Sequence, residues 1–227
     1  MDDKSFTLDE VEARVEECLE YIYKLGKEKQ VKTTLLAEAT GYPASTITTL
    51  LSRLSKRGLV EYQAFKGARL TEKGRRLALE VIRRHRLSER MLTDILEMDW
   101  EDAHREACQL EHAISTHVAR RLEEVLGYPK TCPHGNPIPD EEGRMPDIEG
   151  ELLSQVSIPG EVVVVGVMDE DPSLLRNLRL TGILPGRRIL VEGKSSLDGS
   201  LLLKIGKERV PLSKALSEKI RVRRVEV

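Results

Sequence analysis

The sequence predicts a multidomain α+β protein with an N-terminal winged helix-turn-helix, an all-α dimerisation domain and a C-terminal small SH3-like β-barrel. Three patterns along the chain support this prediction. Helical spacing of apolar residues gives way to a short basic hairpin, a long helical stretch follows, and the last third consists of short Val/Ile/Leu runs broken by turn residues. We place the domains at residues 1–74, 75–140 and 158–227, with a linker at 141–157.

The size and polarity of the chain exclude several classes of protein. Its 227 residues are 40% hydrophobic, which is enough for folded cores. No run approaches the roughly 18 apolar residues of a membrane span, and the start, MDDKSFTLDEVEARVEE, lacks the apolar stretch of a secretory signal. Cys18, Cys108 and Cys132 are odd in number and widely spaced, which favours reduced thiols. We therefore expect a cytoplasmic protein with no membrane partner.

The first seventy residues have the pattern of a winged helix-turn-helix. Apolar residues recur at helical spacing from Leu8 to Leu25, and Gly26 ends that run. The stretch TTLLAEATGYPASTITTLLSRLSKRGLV splits into two short helices at Gly41-Tyr42-Pro43. After Gly58 the pattern becomes extended, with two strands around a turn at Lys66-Gly67.

Positive charge is concentrated in the same N-terminal region. Residues 27–76 carry eleven Lys and Arg against four acids, a net charge of +7, and because the whole chain is −2 the remainder carries −9. A basic module on an acidic body is typical of a protein that binds a polyanion, although a solvated polar surface is the alternative interpretation. We expect the second short helix to enter the major groove of double-stranded operator DNA. The expected DNA-binding residues are Ser45, Thr46, Thr48, Thr49, Arg53, Lys56, Lys66 and Arg69.

Helical periodicity resumes after the hairpin and continues from Thr71 to about Leu126, with a break near Asp99. Helices that are apolar on more than one side usually pack against a partner, so we expect a homodimer, which also matches a two-fold operator. Residues 127–150 are dense in Pro and Gly and are interpreted as an irregular linker. Beyond them the short apolar runs predict five or six strands. The expected turn glycines are Gly186, Gly193, Gly199 and Gly206.

The segment HREACQLEHA, residues 104–113, concentrates side chains that bind metal ions. In a helix, four of them fall within an arc of roughly 100°. These four are His104, Cys108, Glu111 and His112. Two further pairs at helical spacing are His85 with Glu89 and Glu17 with Glu20. Thiol, imidazole and carboxylate groups together suit first-row divalent metals, so the pattern predicts a metal site.

Other roles for these residues remain open from the sequence. A single histidine on a helix is more often structural than a ligand. A cysteine and a histidine four residues apart on one helix are not the usual nucleophile and base, so we do not expect an enzyme. Cys132 and His134 in CPHG are a further pair that could hold metal, but within a Pro-rich segment we favour a structural turn. The alternative functions are a metal-independent winged-helix regulator and a metallohydrolase with an appended DNA-binding domain.

Five segments, RGLVEY, LTEKGRRLA, RRHRLSERML, HREACQLEHAIS and CPHGNPIP, carry a family resemblance. Together with the small C-terminal barrel, which is FeoA-like, they resemble the diphtheria toxin repressor family of iron- and manganese-dependent transcriptional regulators over essentially the whole chain. The resemblance implies a homodimeric repressor of metal-ion homeostasis genes that binds operator DNA when loaded with Mn(II) or Fe(II). It implies no organic cofactor, and Zn(II) or other divalent transition metals are expected to bind in vitro.

The resemblance also implies two sets of metal ligands. The primary set is Glu17, Glu20, Cys108, Glu111 and His112, and the ancillary set is His85, Glu89, His104 and either Asp169 or Glu170. Glu17 stands where iron-responsive members have methionine, which resembles the manganese-responsive branch, whereas Cys108 does not. We therefore expect Mn(II) slightly ahead of Fe(II). Metal bound to the first helix would tie the DNA-binding module to the dimerisation helices.

Overall fold

The computed structural model describes residues 8–26 and 29–225, with the backbone alone for residues 8–12. Outside the described residues lie the start of the predicted first domain (residues 1–7) and two charged residues of its basic segment (residues 27 and 28). The end of the predicted barrel (residues 226–227) also lies outside them. The chain forms two compact units. The N-terminal unit holds the residues up to His85 with Glu111–Thr116 and Pro139–Met145, and the C-terminal unit holds Arg86–Leu110, His117–Ile138 and the residues from Pro146 onward. No helix among the described residues is both long and apolar enough to cross a membrane.

The N-terminal unit contains the predicted winged helix-turn-helix. Its elements are α1 (Leu8–Gly26), α2 (Thr33–Thr40), α3 (Ala44–Lys56), β1 (Val60–Gln63) and β2 (Gly67–Leu70). Gly41 ends α2 in the left-handed conformation, with φ of +72°, and Pro43 directly precedes α3. Leu19, Ile47 and Leu51 are fully buried in one core formed by the three helices and the hairpin. β1 and β2 pair antiparallel, which completes the wing.

Three helices follow: α4 (Glu72–Asp94), α5 (Trp100–Leu110) and α6 (Thr116–Val125). The break near Asp99 is confirmed, but α5 ends before Glu111, and residues 111–113 form a turn. The prediction that one helical face presents the ligand residues from 104 to 112 is therefore wrong. Contacts within the N-terminal unit explain the turn, because Glu111 bonds to His85 and the carbonyl of Ile114 accepts a hydrogen bond from Arg84. The side chain of Glu111 and the carbonyl of Ile114 thus bond to α4 rather than within a continued α5, and α6 starts at Thr116.

The C-terminal unit contains a six-stranded antiparallel sheet, which agrees with the predicted SH3-like domain. Its strands are β3 (Glu151–Leu152), β4 (Gly160–Val167), β5 (Arg188–Lys194), β6 (Leu201–Ile205), β7 (Glu208–Leu212) and β8 (Ile220–Arg224). The strand order is β3-β8-β4-β5-β6-β7. Strand β3 and a 3-10 helix at Leu153–Gln155 occupy part of the segment that the sequence assigned to a linker.

Two helices of this unit were missed by the sequence analysis: α7 (Pro172–Leu180) and the short α8 (Lys214–Ser217). Asp171 caps α7 by accepting from the backbone N–H of Leu174, and two leucines of α7 are buried in the sheet core. Gly186, Gly199 and Gly206 lie in turns with positive φ, as predicted. Gly193 does not, because it lies within β5 at a bulge opposite β6.

The segment around CPHG is irregular but does not behave as a linker. Residues 134–138 are all buried, and Thr131 and Pro137 form an isolated antiparallel bridge. Gly135 has φ of +85°, and a Cβ at this position would lie 2.0 Å from the carbonyl oxygen of Val165 on β4. The sequence suggested a linker because Pro and Gly are frequent here, whereas the structure uses them for close packing against the sheet.

Candidate metal centre

Four potential metal ligands converge in the C-terminal unit: Glu89 of α4, Cys132 and His134 of the CPHG segment, and Glu170 just before α7. One ligand atom from each lies within 4.8 Å of the ligand atoms of the other three. The side chains of Glu89 and His134 are 0% exposed, Cys132 is 1% exposed and Glu170 is half-buried. We call these four residues the thiol cluster.

Backbone and amide hydrogen bonds hold the CPHG segment in place. The N–H of Cys132 donates to the carbonyl of Asn136 at 2.8 Å, which closes a tight loop. The N–H of Val167 on β4 donates to the carbonyl of His134 at 2.8 Å. The amide of Asn136 donates to the carbonyl of Val167 at 3.1 Å and to the carboxylate of Glu170 at 2.9 Å. The loop and Glu170 are therefore fixed on the same strand end.

The imidazole of His134 is oriented by a backbone carbonyl. Its Nε2 lies 3.3 Å from the carbonyl oxygen of Trp100. Its Nδ1 faces Cys132 Sγ at 3.8 Å and Glu89 Oε1 at 3.3 Å. A histidine ligand with its second nitrogen bonded in this way is the usual arrangement at protein metal sites.

The thiol cluster has electrostatics that suit a cation. Burial and the carboxylates of Glu89 and Glu170 raise the pKa of the Cys132 thiol well above its usual value. A nearby cation reverses this effect by favouring the thiolate. His104 borders the cluster, with Nδ1 2.8 Å from Glu89 Oε1. Burial lowers the pKa of His104, but bonds to Cys108 and Glu89 outweigh burial and raise it to about 9.

The donor set fits a first-row divalent metal. Two carboxylates, one thiol and one imidazole combine hard and soft ligand atoms, which suits Mn(II), Fe(II) and Zn(II). These donors come from three separated segments of the chain, all within the C-terminal unit, and the fold of that unit brings them together. The residues present therefore fit the metal that the family resemblance implies.

A second group of acidic residues and histidines lies in the N-terminal unit. We call Glu17 and Glu20 of α1, together with Glu111 and His112 of the turn after α5, the carboxylate cluster. His112 Nε2 lies 3.3 Å from Glu111 Oε1, and the side chains of Glu20 and Glu111 are 8% and 4% exposed. The charges of both Glu17 and Glu20 act on the groups of the turn. The turn lies beside α1, since His112 Nδ1 is 2.8 Å from Oε2 of Glu16 on α1.

Protons and cations compete for the same oxygens in the carboxylate cluster. Burial raises the pKa of Glu111, and the negative charge of Glu20 raises it further. Burial also raises the pKa of Glu17. Glu16, which the sequence analysis did not select, bonds to His112 Nδ1 at 2.8 Å and to Arg84 at 2.7 Å. Burial raises the pKa of Glu16, but these two hydrogen bonds outweigh it and the pKa is lowered.

The remaining predicted ligands are distributed between the two units. His85 lies in the N-terminal unit, where its Nδ1 is 2.6 Å from Glu111 Oε2. Cys108 lies in the C-terminal unit, is exposed, and has its Sγ 3.9 Å from His104 Nε2. Asp169 forms an ion pair with Lys219, so of the two predicted barrel ligands only Glu170 joins Glu89.

Cys132 and His134, interpreted from the sequence as part of a structural turn, lie beside Glu89 and Glu170 in the thiol cluster, a grouping that the sequence analysis did not predict. Their spacing, Cys-x-His, was the available signal. It was discounted because the surrounding prolines suggested a linker.

The predicted DNA-binding residues lie on the surface of α3 and the wing. On α3, the predicted contacts are exposed or half-buried, as expected for the polar face of a recognition helix. Exposed are Ser45, Thr48, Thr49 and Arg53, and half-buried is Thr46. Lys56, Lys66 and Arg69 are also exposed, and Arg69 pairs with Glu61 of the opposite strand at 2.6 Å. A groove of about 320 Å³ runs along α3 and is lined by Arg14, Tyr42, Ser45, Thr46, Thr49, Leu50 and Arg53. Arg14 and Tyr42 were not selected from the sequence.

Three protein-family models match successive parts of the chain. Residues 10–68 match the N-terminal DNA-binding domain of iron-dependent repressors, and residues 71–140 match the metal-binding and dimerisation domain of iron-dependent repressors. Residues 152–224 match the FeoA domain.

Known proteins similar to the chain include iron-dependent and manganese-dependent repressors. The iron-dependent repressor IdeR of Mycobacterium leprae is 36% identical over 203 residues, covering 84% of this chain and 87% of that protein. The diphtheria toxin repressor of Corynebacterium glutamicum is 41% identical over 122 residues, covering 53% of this chain and 54% of that protein. A manganese-dependent transcriptional repressor solved in complex with manganese superposes with a TM-score of 0.84 at 32% identity, over 93% of this chain and 100% of that one. ScaR with bound Cd2+ superposes with a TM-score of 0.80 at 27% identity, over 93% of this chain and 99% of that one.

Proposed function

Because the chain belongs to the diphtheria toxin repressor family, it is a metal-dependent transcriptional repressor, and we propose that Mn(II) or Fe(II) held by its two clusters controls its binding to operator DNA. The DNA-binding and dimerisation domains of this family support operator DNA and a second copy of the chain as partners. The thiol cluster and the carboxylate cluster are the proposed metal sites, and the polar face of α3 is the proposed DNA contact.

The convergence of Glu89, Cys132, His134 and Glu170 carries this proposal. Burying carboxylates together with a thiol is costly unless a cation or hydrogen bonds balance them. Here the CPHG loop, β4 and the carbonyl of Trp100 hold the four donors in one place. A structural turn would need neither the buried carboxylate of Glu89 nor the orientation of the His134 ring.

The carboxylate cluster provides the proposed link from metal to DNA. A bound divalent ion supplies positive charge that several carboxylates share. Glu17 and Glu20 belong to α1, which packs in one core with α3, whereas Glu111 and His112 belong to the turn before α6. By holding one ion together, these residues fix α1 to the turn and shift the population toward the conformation of the DNA-binding module that fits DNA.

The ligand types favour Mn(II) over Fe(II) at the carboxylate cluster. Three of its four residues offer carboxylate oxygens, which hard cations prefer. The thiol cluster adds sulfur and nitrogen donors, and Zn(II) binds such donors at least as tightly in vitro. Selectivity in the cell then depends on geometry and on the available metal rather than on affinity alone.

A regulatory role suits these sites better than hydrolysis. Catalytic zinc sites keep an open position for water or substrate, whereas Glu89, Cys132 and His134 are almost completely buried. Exposed apolar side chains within the C-terminal unit, Ile95, Leu96, Val118 and Val125, support a surface for the second copy.

Neighbouring carboxylates offer a matched test of the thiol cluster. We expect Glu170→Gln to raise the Mn(II) concentration for half-maximal DNA binding by at least about tenfold, because it removes a charged ligand. Asp169→Asn weakens a surface ion pair with Lys219 and keeps an oxygen that accepts from the backbone N–H of Asp171, so it should stay within about twofold of the parent protein. Binding is measured by fluorescence anisotropy at buffered Mn(II), with a DNA duplex selected from a randomised library by the Mn(II)-loaded protein.

Three outcomes contradict the proposal. Equal shifts for the two variants would show that Glu170 has no special role. DNA binding that a chelator leaves unchanged would favour the metal-independent regulator. Failure to select any duplex, together with metal-dependent turnover of a phosphoester or peptide substrate, would favour the hydrolase.

A further inference from the structure

Tyr42 occupies a position between the carboxylate cluster and the DNA-binding face. It lies in the turn between α2 and α3, one residue before Pro43. Its hydroxyl donates a hydrogen bond to Oε2 of Glu17 on α1 at 2.9 Å. The guanidinium carbon of Arg14 lies 5.0 Å from the centroid of the Tyr42 ring, within the range of a cation–π contact. All of these residues belong to the N-terminal unit.

The same tyrosine ring also lines the groove along α3. Ser45, Thr49 and Arg53, three of the expected DNA contacts, line this groove with it. One residue therefore bonds to a proposed metal ligand through its hydroxyl and lines the same groove as the proposed DNA contacts.

The hydrogen bond fixes the orientation of the Glu17 carboxylate. The phenol O–H of Tyr42 donates to Oε2, since a carboxylate oxygen only accepts. Hydrogen bonds of this kind commonly orient carboxylates that bind metals.

We propose that Tyr42 is a positioning residue that couples metal binding at Glu17 to DNA binding at α3. The proposal rests on the function inferred above. Tyr42 holds the Glu17 carboxylate in the orientation that binds the ion, and the ion in turn restrains Tyr42 at the start of α3. By linkage, DNA that favours this arrangement of α3 tightens metal binding by the same factor.

Tyr42→Phe isolates the proposed contact. The variant keeps the ring in the groove and its stacking with Arg14, and it removes only the donor to Glu17. Tyr23→Phe is the matched control, since Tyr23 packs against the same core from α1 and is also half-buried. Circular dichroism and thermal unfolding check that both variants fold.

Three affinities are measured for each protein with Mn(II) and the selected duplex. They are the affinity for Mn(II) without DNA, for DNA with chelator, and for DNA at saturating Mn(II). For Tyr42→Phe we expect the Mn(II) affinity of the site that Glu17→Gln weakens to fall about tenfold or more. DNA affinity with chelator should stay within about twofold while DNA affinity at saturating Mn(II) falls, because the coupling between the two sites is lost, so the stimulation of DNA binding by Mn(II) falls. Tyr23→Phe should match the parent protein throughout.

A double-mutant cycle with Glu17→Gln distinguishes a link through Glu17 from a general structural effect. If Tyr42 acts through Glu17, adding Tyr42→Phe to Glu17→Gln should cause no further loss of Mn(II) affinity or stimulation. Additive losses, or equal losses of DNA affinity with and without Mn(II), would overturn the coupling role. Parent-like stimulation in Tyr42→Phe would also overturn it. Absence of Mn(II) stimulation in the parent protein would instead refute the proposed function itself.

Discussion

Replacing Gly135 by Ala tests how closely the CPHG loop must pack against β4 to form the thiol cluster. The added Cβ would lie 2.0 Å from the carbonyl oxygen of Val165 and 2.5 Å from the Cα of Gly166. Both are backbone atoms, so no side-chain rotation relieves the overlap. Gly127→Ala is the matched control, because Gly127 also has positive φ but has open space around the added atom.

The structure gives a magnitude for each variant. An L side chain at positive φ costs about 1–2 kcal/mol at either position. At Gly135 the loop must also move away from β4, which breaks the bonds from Val167 to His134 and from Asn136 to Val167. At about 1 kcal/mol each, these losses bring the total for Gly135→Ala to about 3–4 kcal/mol, against about 1–2 kcal/mol for Gly127→Ala.

Urea unfolding followed by tryptophan fluorescence measures this difference. The chain has one tryptophan, and its ring centroid lies 5.1 Å from that of His134, so the signal reports on the loop. We also expect Gly135→Ala, but not Gly127→Ala, to weaken metal binding at the thiol cluster by at least about tenfold. Equal stability and equal metal affinity of the two variants would refute the packing argument.

Three further predictions concern stability. Trp100→Phe removes the indole N–H that donates to the buried carbonyl of Leu175 and should destabilise the C-terminal unit by about 2 kcal/mol in urea unfolding followed by circular dichroism; no loss would contradict the bond's importance. Phe65 is fully exposed with φ of +67°, so Phe65→Asn should stabilise the wing by about 0.5–1 kcal/mol, and a lower melting temperature would show that the ring contributes packing. Hydrogen bonds from Arg179 lower the pKa of Glu101 below its ordinary value of 4.5, so the ionised Glu101 stabilises the folded protein above pH 4.5, and this contribution is lost as the pH falls through the lowered pKa. Glu101→Gln should therefore be less stable than the parent protein above pH 4.5, and the difference should disappear at lower pH. A difference in stability that does not depend on pH between about 3 and 7 would contradict this.

Local patterns were sufficient to predict the winged helix and the class of the C-terminal domain. Gly41 and Pro43 mark a helix end and a helix start through backbone preferences that act within a few residues. The end of α5 had no comparable signal. It depends on bonds from His85 and Arg84 to residues 26 and 30 positions away, which helical periodicity does not contain.

The proposed ligands were predictable as residue types but not as groups. The family resemblance selected Glu89 and either Asp169 or Glu170, and nothing in the sequence showed that Glu170 is the one that lies beside Glu89. Cys132 and His134 were interpreted as part of a turn because proline and glycine are frequent around them. Composition alone does not show that these prolines and glycines pack against a sheet. The bond from Tyr42 to Glu17 joins residues 25 positions apart and needed coordinates.

Crystals of the Mn(II)-loaded protein, measured at the manganese absorption edge, test the central claim most directly. The account predicts one anomalous peak coordinated by Glu89, Cys132, His134 and Glu170, and a second coordinated by Glu17 and residues of the turn after α5. Peaks only at other positions, or ordered Mn(II) without contact to Cys132 and Glu17, would contradict it.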